Sequence, residues 1–342
     1  MRNSALGDVL KVWLYAIASV FLGAWMAPLL YNMGKALAEV SSVKQTNGPL
    51  QWLANQCREA DFPQFFMISL WCAAGLLALP CVEWLRVERS HVRLRNPWQI
   101  RLPVGTGAGN DGQALVKNPE AARHVLRGFG VVVGLFLLIM GILLLGGFSQ
   151  WKQAGEGIVP AIAGILIFSI GFGVVQEILF RGLVFGVFLR AMRPPMAIGL
   201  SALLFALVHF LKPAAGLNVA DPDASKVGFE MLGLLVSAFS EVKVLLGTFA
   251  PLLALGGVLA FARWRTASLW LPIGLHVGWI FITGIANRFT VSTGHLDMPM
   301  EFLFGRTLQQ GAIAMFGLIV AGCLIDHLTT RRTDDPEISS NP

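Results

Sequence analysis

Eight stretches of about 20 mostly apolar residues limit the fold of this chain more than any other feature. Hydrophobic residues make up 55% of its 342 residues and charged residues only 13%. An ordinary soluble domain carries roughly 25% charged residues. A single soluble core could not bury so much apolar surface, whereas a bilayer solvates the outside of each helix. The sequence therefore predicts an all-α fold, a polytopic membrane helical bundle with about eight transmembrane helices.

The predicted spans alternate with loops whose charge differs from one side to the other. The spans are Val9–Tyr31, Phe65–Leu85, Val125–Phe148, Ile158–Leu189, Pro195–Leu211, Val244–Ala262, Ala267–Ala286 and Gln310–Leu328. Arginine and lysine are concentrated between spans two and three and recur at every second turn after them, as in cytoplasmic loops. This pattern predicts that both termini are cytoplasmic. It also accounts for the net charge of +6 without a nucleic-acid partner.

Four ionisable residues lie inside the predicted spans, where a charge is costly and usually serves a function. They are Glu177 and Arg181 in span four, His209 in span five and His276 in span seven. At ~1.5 Å per residue, Glu177, His209 and His276 lie about 17–21 Å from the predicted cytoplasmic ends of their helices. A self-neutralising pair of Glu177 and Arg181, four residues apart, is the structural alternative. The similar depths of Glu177, His209 and His276 instead favour one common site.

These residue types suit the hydrolysis of an amide by an activated water. A carboxylate and a histidine can hold and deprotonate water, and a second histidine can stabilise the oxyanion. Arg181 can fix the carboxylate of Glu177. The sequence contains neither a GxSxG nor an HExxH string. Glu177, His209 and His276 could also ligate a divalent metal such as zinc, and spacing alone does not separate the two chemistries.

Three short motifs resemble those of the CAAX protease and bacteriocin-processing family, which includes the type II prenyl-protein endopeptidases. The string QEILFRG at 176–182 resembles its EExxxR motif, and FALVH at 205–209 matches its FxxxH motif. The string GLHVGWI at 274–280 resembles a third motif, a histidine followed four residues later by asparagine. The resemblance covers roughly residues 158–287. It implies a helical membrane fold and hydrolysis of peptide bonds within or beside the bilayer.

The resemblance also implies roles for individual residues. Glu177, Arg181 and His209 match residues of the first two motifs, and His276 matches the histidine thought to steady the oxyanion. Gln176 stands where the family has its first glutamate, which is thought to activate water with the second-motif histidine. An amide can orient water but cannot act as a base.

The third motif departs from the family as well. Ile280 replaces the asparagine and offers no hydrogen bond, and Thr283 is a possible substitute on the same face of the helix. Glu177 could take over as base, or the site could be inactive.

Three functions follow from these observations. The first is a membrane-embedded endopeptidase acting on a membrane-associated or prenyl-type protein or peptide substrate. The second is an inactive relative that serves as a membrane scaffold or immunity protein. The third is a transporter or channel, which the lack of repeated halves disfavours. We expect an integral protein of a bacterial plasma membrane, with membrane lipid as a partner.

The sequence predicts one membrane domain in three consecutive sections. Residues 1–157 hold the N-terminal transmembrane helices and a cytoplasmic loop at 92–122, and residues 158–287 form the catalytic core. Residues 288–342 form the last span and a cytoplasmic tail. The apolar residues Gly228 to Phe239 are too few to span a bilayer, which predicts an interfacial or re-entrant segment.

Overall fold

The computed structural model describes residues 5–43, 48–85, 99–103, 113–152, 157–213, 217, 219–293 and 298–329. The helices are α1 Ala5–Val43, α2 Gly48–Glu59, α3 Phe62–Trp84, α4 Ala121–Leu145, α5 Ile158–Glu177, α6 Phe185–Ala191, α7 Pro194–Phe210, α8 Val227–Ser237, α9 Val242–Val244, α10 Ala250–Thr266, α11 Trp270–Phe289, α12 Met298–Phe304 and α13 Gly311–Leu328. Two π-helical segments, Ile178–Val184 and Leu245–Phe249, join α5 to α6 and α9 to α10. A single 3-10 turn, Ala238–Ser240, follows α8. Helices dominate the described residues, which confirms the predicted fold class.

Short strands form two antiparallel ribbons. Strand β1, Gln99–Pro103, pairs with β2, Gln113–Lys117. Strand β3, Ser149–Trp151, pairs with β4, Thr290–Ser292. The predicted loop 92–122 thus contains β1 and β2, whereas its residues 92–98 and 104–112 lie outside the described residues. The predicted tail beyond residue 329 also lies outside them.

The polytopic helical bundle is confirmed, with seven helices long and apolar enough to cross a membrane among the described residues. The predicted span Pro195–Leu211 corresponds to α7, which has 17 residues, whereas the seven spanning helices have 18 or more. Its length follows from the proline that begins it and from the charged Lys212 and the helix-breaking Pro213 that follow it. The protein is therefore an integral membrane protein.

The spanning helices present apolar side chains outward as well as inward. On α5, Ile167 is 72% exposed, Phe168 60% and Val175 59%. A soluble bundle with so large an exposed apolar surface would be prone to aggregate in water, whereas lipid tails solvate this surface in a membrane. This explains why the spans show little amphipathic periodicity in the sequence.

The described residues form two compact units, and the first contains residues 1–92 and 208–241. Here α1 packs along α3 and also against α2 and α8. Val227 and Met231 of α8 are fully buried in the core of this unit. The backbone of α8 at Gly228 lies against Ala24 of α1 so closely that a Cβ would collide with it. The apolar segment at 228–239 is thus largely a packed helix of this unit.

The second unit contains residues 93–207 and 242–342, so the division falls within α7. The central helix is α11, which packs against α4, α5 and α10. Gly274 of α11 and Gly128 of α4 have no room for a side chain, because the backbone of the facing helix lies against each of them. Small residues allow this close approach of two membrane helices. The sequence-based division into three consecutive sections stays a prediction.

Candidate active site

A buried ion pair stands at the end of α5. Glu177 is the last residue of α5, Arg181 lies one turn later, and both side chains are 0% exposed. Arg181 Nη1 donates to Glu177 Oε1 at 3.0 Å. Arg181 Nη2 donates to the carbonyl oxygen of Gly256 in α10 at 3.1 Å. The pair predicted from the spacing of four residues is therefore formed, and it ties α10 to the end of α5.

The helix changes its winding directly after Glu177. Ile178–Val184 is π-helical, and the backbone N–H of Phe185 donates to the carbonyl oxygen of Phe180, five residues earlier. Single π-turns within helices occur frequently at functional sites. Sequence reasoning treated Ile158–Leu189 as one continuous helix, because no residue pattern in this stretch announces a π-turn.

His276 joins this pair from α11. Its Nδ1 lies 2.7 Å from Glu177 Oε1, and its side chain is 2% exposed. An ionised carboxylate oxygen can only accept a hydrogen bond, so Nδ1 carries the proton in this contact. In the neutral ring, the proton-accepting lone pair is then at Nε2. The structure thus brings together Glu177, Arg181 and His276, three of the predicted site residues.

Phe205 of α7 packs against both Arg181 and His276, the two partners of Glu177. Its ring centroid lies 4.4 Å from Arg181 Cζ, which is a cation–π distance. The Phe205 and His276 rings meet edge to face at 5.6 Å and 67°. Sequence reasoning used only the histidine of the string FALVH and missed this residue. The first letter of the same motif was the signal that could have found it.

One carboxylate oxygen of the buried pair has no partner. Glu177 Oε2 is buried and makes no hydrogen bond to any described residue. An unsatisfied buried polar atom costs roughly 1–3 kcal/mol, more if charged, and native structures contain few of them. Oε2 is therefore the atom of this carboxylate that can bind a water or a substrate N–H.

The other predicted residues occupy different positions. His209 lies in the last turn of α7, partly buried, and belongs to the first compact unit. Its participation in the site stays a prediction from the FxxxH motif. Gln176 precedes Glu177 on α5 and is 0% exposed.

Neither Ile280 nor Thr283 takes the place of the missing asparagine as a hydrogen-bond donor. Ile280 is partly buried on α11 and has no hydrogen-bonding group. The Thr283 hydroxyl donates to the carbonyl oxygen of Trp279 within the same helix at 2.7 Å. Its proton is therefore committed to the backbone, which argues against the suggested substitution by Thr283.

A zinc site requires at least three suitable side chains. Glu177 and His276 supply two of the three predicted ligands, and Arg181 shares the carboxylate oxygen with His276. Within the part of the chain that the structure describes, no group of three or more His, Cys, Asp and Glu residues is placed to hold a metal ion. We assign no step to a metal, and zinc ligation by Glu177, His209 and His276 stays a prediction.

Comparison with known proteins supports the resemblance seen in the motifs. Residues 158–282 match the family model described as type II CAAX prenyl endopeptidase Rce1-like. This range contains Glu177, Arg181, Phe205, His209 and His276. Neither the search of curated proteins nor that of solved structures found a match. The family match confirms the predicted relationship to the CAAX protease and bacteriocin-processing family.

Proposed function

From the match of residues 158–282 to the Rce1-like type II CAAX prenyl endopeptidases, we propose that this protein is a membrane-embedded endopeptidase. It hydrolyses a peptide bond in a membrane-associated or prenyl-type substrate with an activated water. One observation carries the proposal. The buried carboxylate of Glu177 divides its two oxygens, with Oε1 bound by Arg181 and His276 and Oε2 left without a partner among the described residues.

Each contact of Glu177 has a chemical consequence in this proposal. Arg181 holds the carboxylate in place through its hydrogen bond to Oε1. The carboxylate in turn holds the proton of His276 on Nδ1 and directs Nε2 toward proton transfer, as the acid does in other histidine-dependent hydrolases. Because Nδ1 faces Glu177, Nε2 points away from the carboxylate, and the attacking water binds at Nε2. Glu177 Oε2 accepts a hydrogen bond from a substrate N–H.

The reaction then proceeds without a covalent enzyme intermediate. The water oxygen attacks the carbonyl carbon as its proton passes to His276 Nε2, which forms a tetrahedral oxyanion. His276 returns this proton to the amide nitrogen, the C–N bond breaks, and a new carboxylic acid and a free amine leave. His209 is the further histidine that the motif assigns to the water. Gln176 can orient that water by hydrogen bonding but takes no proton.

The proposal is tested by cleavage of a membrane-peptide library that contains prenylated and unprenylated members. Purified wild-type protein is expected to cleave a subset of these peptides, and Glu177→Gln is expected to lower the rate at least about 100-fold, the usual contribution of acid–base catalysis. Products are identified by mass spectrometry at matched amounts of folded protein. Glu230→Gln is the matched control, since Glu230 is exposed on α8. Equal rates for Glu177→Gln and wild type would rule out this site, and loss of activity in a chelator would support the predicted zinc.

A further inference from the structure

A cavity lies in the unit that contains Glu177, at the opposite end of α11 from its cytoplasmic start in the predicted topology. It has a volume of about 500 Å³ and is formed by the end of α4, the β3–β4 ribbon and the segment after α12. Its floor is apolar and includes Met140, Leu143 and Leu308. Ala286, which also lines it, follows His276 by ten residues on α11, about 15 Å along the helix. The cavity is therefore separate from the candidate active site.

The rim of this cavity is polar and carries two cations. Lys152 Nζ donates to the carbonyl oxygen of Asn287 at 2.9 Å and has no carboxylate partner among the described residues. Arg306 pairs with Glu301 at 2.5 Å, while its side chain remains 74% exposed. These three are the charged side chains among the lining residues, so the lining has one positive charge in excess. The hydroxyls of Ser149, Ser292 and Thr307 add hydrogen-bond donors.

The position of the cavity along the helices corresponds to the edge of a bilayer. It lies where the spanning helices α4 and α11 end and α13 begins. Leu145, the last residue of α4, is 92% exposed, and Trp151 on the neighbouring strand is 61% exposed. Exposed tryptophan is enriched where hydrocarbon meets the headgroup layer. An amphiphile at this level would place its polar group at the rim and its apolar part over the floor.

We propose that this cavity binds the phosphate-bearing headgroup of an anionic membrane lipid. Lys152 and Arg306 bind the phosphate, and the hydroxyls of the ribbon bind its remaining oxygens or the glycerol. The first carbons of the acyl chains lie against Met140, Leu143 and Leu308. From there the chains continue along the lipid-exposed side of α4, where Leu138 is 61% exposed and Ile142 48%. An extended peptide could also pair with an edge of the β3–β4 ribbon, but the excess positive charge and the interfacial level favour the lipid.

The proposal is tested by measuring lipid affinity of the full chain in detergent with native mass spectrometry. The probes are phosphatidylglycerol, phosphatidylcholine and soluble glycerol 3-phosphate. Wild type is expected to bind phosphatidylglycerol more tightly than phosphatidylcholine. Lys152→Gln and Arg306→Gln are each expected to lower that affinity roughly fivefold, and the double variant about 25-fold. Ser292→Trp, which fills the cavity without a change of charge, is expected to lower the affinity for both lipids.

Arg288→Gln is the matched control, because Arg288 is an exposed arginine in the last turn of α11 and does not line the cavity. Its affinity is expected to stay within about twofold of wild type, because Arg288 does not contact the proposed phosphate and water and salt screen an exposed charge. An equal loss in Arg288→Gln would overturn the site in favour of general surface attraction. Glycerol 3-phosphate bound as tightly as the lipid would overturn it in favour of a free-phosphate site. Displacement of the lipid by a substrate-like peptide, lost in the double variant, would make the cavity a peptide site.

Discussion

Replacing Arg181 with methionine is expected to lower the free energy of unfolding by about 3–5 kcal/mol, the effect of removing one partner of a buried ion pair. The guanidinium is 0% exposed and donates to both Glu177 and the carbonyl oxygen of Gly256. Without it, the buried carboxylate of Glu177 keeps only His276 as a partner among the described residues. Thermal unfolding in detergent measures the effect, which is expected to appear as a much lower Tm or as loss of folded protein.

Two variants make the Arg181 result interpretable. Arg190→Met removes an exposed arginine from the same continuous helical stretch and is expected to change stability by less than about 0.5 kcal/mol. Glu177→Leu combined with Arg181→Met removes both charges and is expected to recover much of the lost stability. If Arg181→Met were as stable as Arg190→Met, the buried pair would not hold the end of α5.

Replacing Gly274 with alanine is expected to destabilise the protein by about 1–3 kcal/mol or more, as overpacking of a tight interface does. A Cβ at this position would lie 2.2 Å from the carbonyl oxygen and 2.8 Å from the Cα of Val125, so a backbone would have to move. Because α11 also carries His276, this movement would weaken its 2.7 Å contact with Glu177 and reduce cleavage. Thermal unfolding and the peptide-cleavage assay measure the two effects.

Gly134→Ala is the matched control for Gly274→Ala, since Gly134 lies on the facing helix α4 with open space around its Cα. Alanine there is expected to leave stability unchanged or raise it by up to about 1 kcal/mol through helix propensity. A Gly274→Ala variant as stable and active as Gly134→Ala would show that α4 and α11 do not pack as closely as the structure has them.

Much of the fold was predictable, because a helix that is stabilised by burial in lipid requires a long apolar segment that is easy to recognise in the sequence. The predicted Val125–Phe148 overlaps α4 and Gln310–Leu328 matches α13, since about 20 apolar residues are what a helix needs to cross a bilayer. The 17-residue α7 falls short of that length because its proline start and Lys212 limit it. The face that each helix packs against its neighbours was harder to predict, because lipid-facing positions are as apolar as buried ones.

Some contacts of the candidate site could likewise be predicted from the sequence, and others could not. The contact of Glu177 with Arg181 follows from their spacing of four residues, and matched depth placed His276 near them. The depth of a residue in the membrane does not show how its helix is rotated about its own axis. The contact of both Arg181 and His276 with Glu177 Oε1, and the packing of the Phe205 ring over Arg181, could therefore not be predicted. The π-turn at Ile178–Val184 could not be predicted either, because no residue pattern in this stretch indicates one.

Because Gln176 and Ile280 depart from the family motifs, the main question about this protein is whether its site is catalytically competent. We interpret Glu177 with His276 as the acid–base unit, so a glutamate at 176 is not required. The scaffold interpretation instead holds that both departures abolish catalysis.

The most direct test compares the cleavage rates of wild type, Glu177→Gln and the Gln176→Glu/Ile280→Asn double variant on one peptide panel. We expect that wild type already cleaves and that Glu177→Gln does not. The double variant is expected to change the rate, but cleavage does not require it. A silent wild type beside an active double variant would contradict the account and make this protein an inactive relative.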